Sequence, residues 1–161
     1  METKNISLDQ VERLVNEALT GVGTSSESAI SLSKAVRAAE RDGIRSHGLL
    51  YVPTYCEHVL CGKVDGSAVP EVTKPRQSAI HVDAKTGFAH PAIDVGFKEL
   101  IPLVKSYGCV GLTINNSYNC GVLGYHVERL AKADLVGIGF TNSPASIAPF
   151  GGKKAVIGTN P

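Results

Sequence analysis

The sequence predicts an α/β fold in which N-terminal helices are followed by a mixed sheet with a parallel βαβ crossover. Three observations predict it. Apolar residues recur at helical spacing through the first sixty positions. After Ser78, short apolar runs alternate with further helical stretches, the order that brings parallel strands together. Neither a G-x-G-x-x-G fingerprint nor a P-loop is present, so the dinucleotide-binding signature of a Rossmann unit is missing. The boundary falls between a helical segment, 1–62, and an α/β part, 63–161.

Taken in order, Ser7-Leu-Asp-Gln10 reads as a capping box. Val11, Leu14, Val15, Ala18 and Leu19 follow on one helical face, and Gly21 and Gly23 stop the helix. Thr24-Ser-Ser-Glu27 reads as a second capping box, and the helix behind it is expected to bury Ile30, Leu32, Ala35, Val36 and Ala39. Leu49 to Leu60 reads as a third helix with Pro53 in its first turn, where a missing N–H costs little. Gly62 to Arg76 is polar and reads as a loop with a short edge strand. Ser78 to Asp83 is a strand. Pro91 opens a helix that ends at Gly108, with Pro102 placed to kink or split it. Cys109 to Ile114 is expected as a buried strand, Gly121 to Ala133 as a helix, and Leu135 to Phe140 as another buried strand. The last stretch, Pro149 to Pro161, sets two sharp turns around a short strand. The chain stops on Pro161 directly after that strand, which reads as a truncated form of a larger fold.

The chain has 161 residues, 43% hydrophobic and 19% charged, an ordinary globular composition. Its net charge of +1 gives no electrostatic reason to bind nucleic acid or an anionic membrane. No apolar run approaches membrane-spanning length. The stretch Met1-Glu-Thr-Lys-Asn-Ile-Ser7 has no apolar signal core. Cys56, Cys61, Cys109 and Cys120 form no C-x-x-C pair, and no His, Cys and carboxylate cluster suggests a metal. The expectation is a cytoplasmic protein with reduced thiols.

Ser46-His47 is the first candidate for chemistry. Glycines stand near it on both sides, at Gly43 and Gly48, at the junction of helical segments. An imidazole titrates near neutrality and a neighbouring hydroxyl can pass a proton onward; a capping or surface histidine is the bland alternative. In open α/β sheets ligands collect beyond the carboxyl ends of strands. Those ends are Asn115-Asn-Ser-Tyr-Asn-Cys120 and Thr141-Asn-Ser-Pro-Ala-Ser146, and Asn119 to Leu123 opens a helix whose free N–H groups suit an anion such as phosphate. His58 and His126 read as solvated helix-face residues and His81 as a hydrogen-bonding sheet residue. His90 sits at a helix start and reads as a local structural residue, with an approach to the site as the lesser alternative. Cys120 reads as small packing, and Lys153-Lys154 as a solvated turn.

These pieces resemble the N-terminal part of the malate/L-lactate dehydrogenase family, the group that lacks a classical Rossmann domain. The likeness rests on the two N-terminal helices, Asp42-Gly-Ile-Arg-Ser-His-Gly48, the strand and helix after Ser78, Asn115 to Leu123, and Pro149-Phe-Gly-Gly with Gly158-Thr-Asn-Pro161. It implies an oxidoreductase transferring hydride between NAD or NADP and a small 2-hydroxy or 2-oxo acid, malate- or lactate-like, in a homodimer. The α/β part, 63–161, is then an incomplete cofactor and substrate domain. His47 matches the family's proton donor and Ser46 its relay partner. Asn119, Cys120, Gly121, Val122 and Leu123 match a cofactor-contacting stretch, Ser143 matches another cofactor contact, and Thr159 a substrate contact.

Two positions depart from the pattern. Many members carry a His where this chain has Asn119, and an Arg that holds the substrate carboxylate where it has Tyr51. Asn119 cannot titrate, and Tyr51 offers a single neutral hydrogen bond to the substrate in place of a bidentate ion pair; Arg45 is close in sequence and is the candidate substitute. The loss at Asn119 favours an alternative that relies on the Ser-His pair, reduction of the cyclic imino acids Δ1-piperideine-2-carboxylate and Δ1-pyrroline-2-carboxylate. A second alternative is a non-catalytic assembly module completed by a partner. A metal-dependent hydrolase finds no ligand cluster.

Overall fold

The computed structural model describes residues 5–161; the reading of the first four residues as part of a leaderless start lies outside them. The chain divides into two compact units, Met1–Val122 and Leu123–Pro161.

In the first unit, α1 (Leu8–Gly21) begins at the expected capping box. The Ser7 hydroxyl accepts the Gln10 N–H at 3.2 Å and the Gln10 side chain accepts the Ser7 N–H at 2.8 Å. Val11, Val15 and Leu19 are buried and Leu14 is exposed. α2 (Ser26–Arg41) is capped by Ser25, whose hydroxyl accepts the Ser28 N–H, so the box expected at Thr24 is corrected by one residue. Thr24 is instead buried, its N–H donating to the Leu19 carbonyl at the end of α1. α2 buries Ala29, Leu32 and Val36, while Ile30, expected inside, is 42% exposed. One residue turns the helix by about 100°, which carries Ile30 off the stripe that faces α1. Beyond Gly43, Arg45–His47 and Leu49–Tyr51 form two successive 3₁₀ turns, and α3 runs from Val52 to Leu60. The third helix expected from Leu49 thus begins as a tighter turn. Pro53 sits in the first turn of α3.

The sheet is three-stranded in the order β1-β2-β3. β1 (Glu71–Arg76) pairs antiparallel with β2 (Ala79–Asp83), with an irregularity between Thr73 and Arg76. Pro75 lies in that interval, and a residue without an N–H is tolerated on an edge strand. β2 pairs parallel with β3 (Gly111–Asn115), Ala79 facing Gly111 and Asp83 facing Asn115. The crossover between them is α4 (Ala89–Tyr107), which continues unbroken through Pro102 and ends at Gly108 in a left-handed conformation, φ +76°. Ile80 and Val82 alternate into the core. Gly96 of α4 lies so close to β3 that a Cβ there would sit 2.8 Å from Leu112 Cδ2. The Ser31 hydroxyl donates to Asp94 Oδ2 at 2.5 Å, tying α2 to α4. β3 corrects the buried strand expected from Cys109: Leu112 and Ile114 are half-buried, and Gly111, Thr113 and Asn115 are exposed. As the last strand of the sheet it is covered on one face only. His81 bonds within the sheet as expected, Nδ1 lying 3.0 Å from Thr113 Oγ1.

The second unit holds α5 (Leu123–Ala131), two residues shorter at each end than expected. Leu135 to Phe140 forms no strand among the described residues, which corrects the buried strand expected there. Gly137 and Gly139 pack on Leu130, Leu123 and Val127 of α5, whereas Val136, Ile138 and Phe140 are 95%, 77% and 84% exposed. Small residues permit the close approach, and the alternation then turns the large side chains outward. Ile147 and Ile157 form an antiparallel bridge between the two turns of the C-terminal stretch.

Candidate functional site

Ser46 and His47 stand in the short connection between α2 and α3. Ser46 is exposed and His47 half-buried. The Ser46 hydroxyl lies 3.0 Å from His47 Nδ1. A hydroxyl both donates and accepts, so it can satisfy Nδ1 whether that nitrogen carries a proton or not. Nε2 is then the nitrogen left for an incoming group. The Tyr51 ring stacks on the imidazole, centroids 6.3 Å apart and planes 16° from parallel.

Tyr51 begins a run of rings. Tyr55, one helical turn on, meets it edge-on at 4.8 Å, and Tyr118 lies 6.2 Å from Tyr55. The Tyr118 hydroxyl stands 2.5 Å from His58 Nδ1. His58 is therefore half-buried and bonded, a correction of the solvated position expected for it. Burial raises the Tyr55 phenol well above its ordinary value, helped by Tyr51 and Cys120. Burial raises Tyr118 likewise, helped by the neighbouring Tyr51. Both phenols stay neutral across the ordinary pH range.

Tyr118 leads directly into the expected cofactor stretch. Its N–H donates to the Gly87 carbonyl at 2.9 Å. Asn119 turns back on its own loop, its side-chain oxygen accepting the Gly121 N–H at 2.6 Å. Gly121 is left-handed, φ +66°, and a Cβ there would stand 3.1 Å from His90 Nε2. His90, only 1% exposed, lies against this loop. Cys120 and Val122 are half-buried, and Leu123 opens α5 in the second unit.

Ser143 and Thr159 meet in the second unit. The Ser143 hydroxyl accepts the Thr159 N–H at 2.9 Å and lies 3.0 Å from the Thr159 hydroxyl. The Asn160 side chain accepts the Ser143 N–H at 2.7 Å. Two residues expected as separate contacts are therefore one hydrogen-bonded pair. His126, expected on a solvated face, is buried. Lys153 and Lys154 are exposed, as expected. Tyr55, Tyr118 and Gly87 were not among the residues singled out, although Tyr51, Tyr55 and His58 fall at the i, i+4, i+7 spacing of one helix face.

Among the described residues, no group of three His, Cys, Asp or Glu side chains is placed to hold a metal, and no helix is long and apolar enough to cross a membrane.

A family model described as malate/L-lactate dehydrogenase matches residues 6–161. The chain is 42% identical over 159 residues to the (2R)-3-sulfolactate dehydrogenase (NADP(+)) of Chromohalobacter salexigens, covering 99% of this chain and 47% of that protein. It is 35% identical over 156 residues to Delta(1)-pyrroline-2-carboxylate reductase 2 of Burkholderia multivorans, covering 97% of this chain and 46% of that one. The chain thus spans about half the length of the curated relatives it matches. Among solved structures, malate dehydrogenase from Entamoeba histolytica superposes with a TM-score of 0.90 at 29% identity, covering 99% of this chain and 44% of that one. The Δ1-piperideine-2-carboxylate reductase from Pseudomonas syringae pv. tomato superposes with a TM-score of 0.78 at 35% identity, over 81% of this chain and 39% of the other.

Proposed function

Because this chain belongs to the malate/L-lactate dehydrogenase family, we propose that it carries the proton-handling part of an NAD(P)-dependent oxidoreductase acting on a small 2-hydroxy or 2-oxo acid. The observation that supports this most directly is the Ser46–His47 hydrogen bond at 3.0 Å with Tyr51 stacked on the imidazole. In the reducing direction, the His47 imidazolium gives its Nε2 proton to the substrate oxygen as the C=O bond becomes C–OH. Nδ1 keeps its proton and goes on donating it to the Ser46 hydroxyl, which holds the ring, and a proton taken up from solvent at Nε2 restores the imidazolium. In the oxidising direction the neutral imidazole takes the hydroxyl proton. Tyr51 is the substrate contact of this reading in the first unit, a neutral partner for the carboxylate; Thr159 is assigned to the substrate by the family resemblance alone.

In the loop from Asn119 the position without a Cβ, Gly121, makes room for His90, and the Asn119 turn onto the Gly121 N–H fixes the backbone on which this reading places the cofactor. In the first unit Asn119, Cys120, Gly121 and Val122 are the residues that would hold it; in the second, the family resemblance alone assigns Leu123 and Ser143 to the cofactor. A nicotinamide bound there supplies or removes the hydride; the protein supplies position and the proton. The relative named with NADP(+) favours the phosphorylated form. A cytoplasmic homodimer belongs to the same reading, and sedimentation tests the dimer.

Asn119 supports a second reading, reduction of a cyclic imino acid. Its carboxamide cannot titrate and is turned onto Gly121, which leaves the Ser46–His47 pair as the proton source. Several relatives are named as reductases of this kind. Titrating the full-length protein with NADPH and NADH, then assaying pyruvate, malate, sulfolactate and cyclic imines, separates the two readings. Turnover of none of these substrates, despite cofactor binding, overturns both.

A further inference from the structure

Glu40 stands in the last turn of α2, a place where an anion faces the negative end of the helix dipole. Its carboxylate has a local reason to be there. Oε1 accepts the Leu49 N–H at 2.7 Å. Leu49 is the first residue of the helical stretch that continues into α3, so this N–H is one of the donors a helix start leaves without a partner. One carboxylate at the end of α2 thus caps the beginning of the next helical stretch, where the dipole favours it.

The same carboxylate lies against Gly48. A Cβ at Gly48 would overlap the end of the Glu40 side chain. The other end of the connection is also fixed to α2, by the Ile44 N–H donating to the Ala39 carbonyl at 2.8 Å. The segment from Ile44 to Leu49 is therefore stapled at both ends to two adjacent residues, Ala39 and Glu40. His47 lies inside the staple and Tyr51 just beyond it, so the Gly48–Leu49 backbone sets how the two rings face each other.

We propose that Glu40 is a positioning residue for the proton chemistry, holding His47 in register with Tyr51 through the Gly48–Leu49 backbone. The proposal rests on the reading of His47 given above. Glu40 touches neither ring; it acts through the backbone between them.

The test compares Glu40→Ala and Glu40→Gln in the full-length protein, following kcat and KM together with the His47 ring signals in NMR spectra. Removing the acceptor frees the Leu49 end of the staple, and misplacement of a reacting group by about an ångström costs up to ~10²-fold. Glu40→Ala is expected to lower kcat by roughly 10- to 100-fold while changing the cofactor KM by less than about threefold. The amide oxygen of Glu40→Gln accepts the same bond, so kcat is expected to return to within about fivefold of wild type. The His47 signals are expected to shift and broaden in Glu40→Ala and to stay near wild type in Glu40→Gln. A purely structural role would lower stability without the kcat-selective loss. The proposal is overturned if Glu40→Ala keeps wild-type kcat, or if its His47 signals do not move. A His47→Ala enzyme with full turnover would sink the reading of His47, whereas the ring signals would still decide whether Glu40 places it.

Discussion

His58 Nδ1 lies 2.5 Å from the Tyr118 hydroxyl, joining two residues sixty positions apart in the chain. The bond ties α3 to the loop that leads into Asn119. It is the polar anchor of that loop, beside the edge-on contacts by which Tyr55 meets both Tyr51 and Tyr118. Tyr118→Phe removes that anchor and leaves the ring packing in place. The expected cost is about 1 kcal/mol of stability, the usual net worth of one hydrogen bond. Urea denaturation measures it, and faster hydrogen exchange at the Asn119–Gly121 amides locates it. Unchanged exchange there would show that the anchor does not hold the loop.

On the proposed reading, His47→Ala is expected to lower turnover by about 10²–10⁴-fold, the range for general acid catalysis. Ser46→Ala should lose less, since water can replace a hydroxyl at Nδ1 but nothing replaces the imidazole. Steady-state kinetics on both variants checks the order, and the reverse order would reassign the proton donor.

Gly121→Ala combines two costs, a left-handed backbone at φ +66° and a Cβ 3.1 Å from His90 Nε2. About 1–2 kcal/mol of destabilisation is expected from the conformation alone. Thermal unfolding measures this, and a parallel NADPH titration should show weaker binding. Wild-type stability would mean that the loop relaxes to another conformation.

Tyr55 gives a pH prediction with a definite sign. Its phenol is raised above the ordinary value of 10.0, first by burial. The folded state therefore holds this proton longer than the unfolded chain does. The associated stability is fully present below pH 10 and is lost as the pH rises above it. Denaturant unfolding between pH 8 and pH 11 should show a decline at the alkaline end, smaller in Tyr55→Phe. A decline of equal size in both proteins would assign it to other groups.

Gly96→Ala drives a methyl group into Leu112, Cδ2 standing 2.8 Å from the Cβ position. α4 must move away from β3 or Leu112 must repack, an overpacking cost of about 1–3 kcal/mol. Gly111→Ala, with open space at the same position of its own residue, should cost less than Gly96→Ala in the same measurement. Equal losses would show that α4 and β3 are not in close contact.

Much of the site was legible in the chain because it depends on neighbours in sequence. Ser46 and His47 are adjacent, and a turn between helices brings their polar atoms together without help from distant residues. Tyr51 follows one helical turn later and stacks on the imidazole. The Asn119–Gly121 turn is equally local. His58 and His126 were not legible. Helical spacing says which residues share a face, but what that face meets depends on elements far along the chain. Tyr118 lies sixty residues from His58, and no pattern near either residue announces the other.

The sequence by itself determined the two N-terminal helices, the Ser7 cap, the Ser46–His47 pair and the parallel β2–α4–β3 crossover. Each follows from propensity, capping chemistry or spacing within a few turns of chain. Only the tertiary structure decided that β3 is a half-covered edge, that Leu135 to Phe140 pairs with nothing among the described residues, and that Ser143 meets Thr159. An apolar run records a tendency to leave water. Whether it becomes a buried strand depends on a second surface that supplies its hydrogen bonds and covers its side chains, and that surface is built by residues distant in sequence.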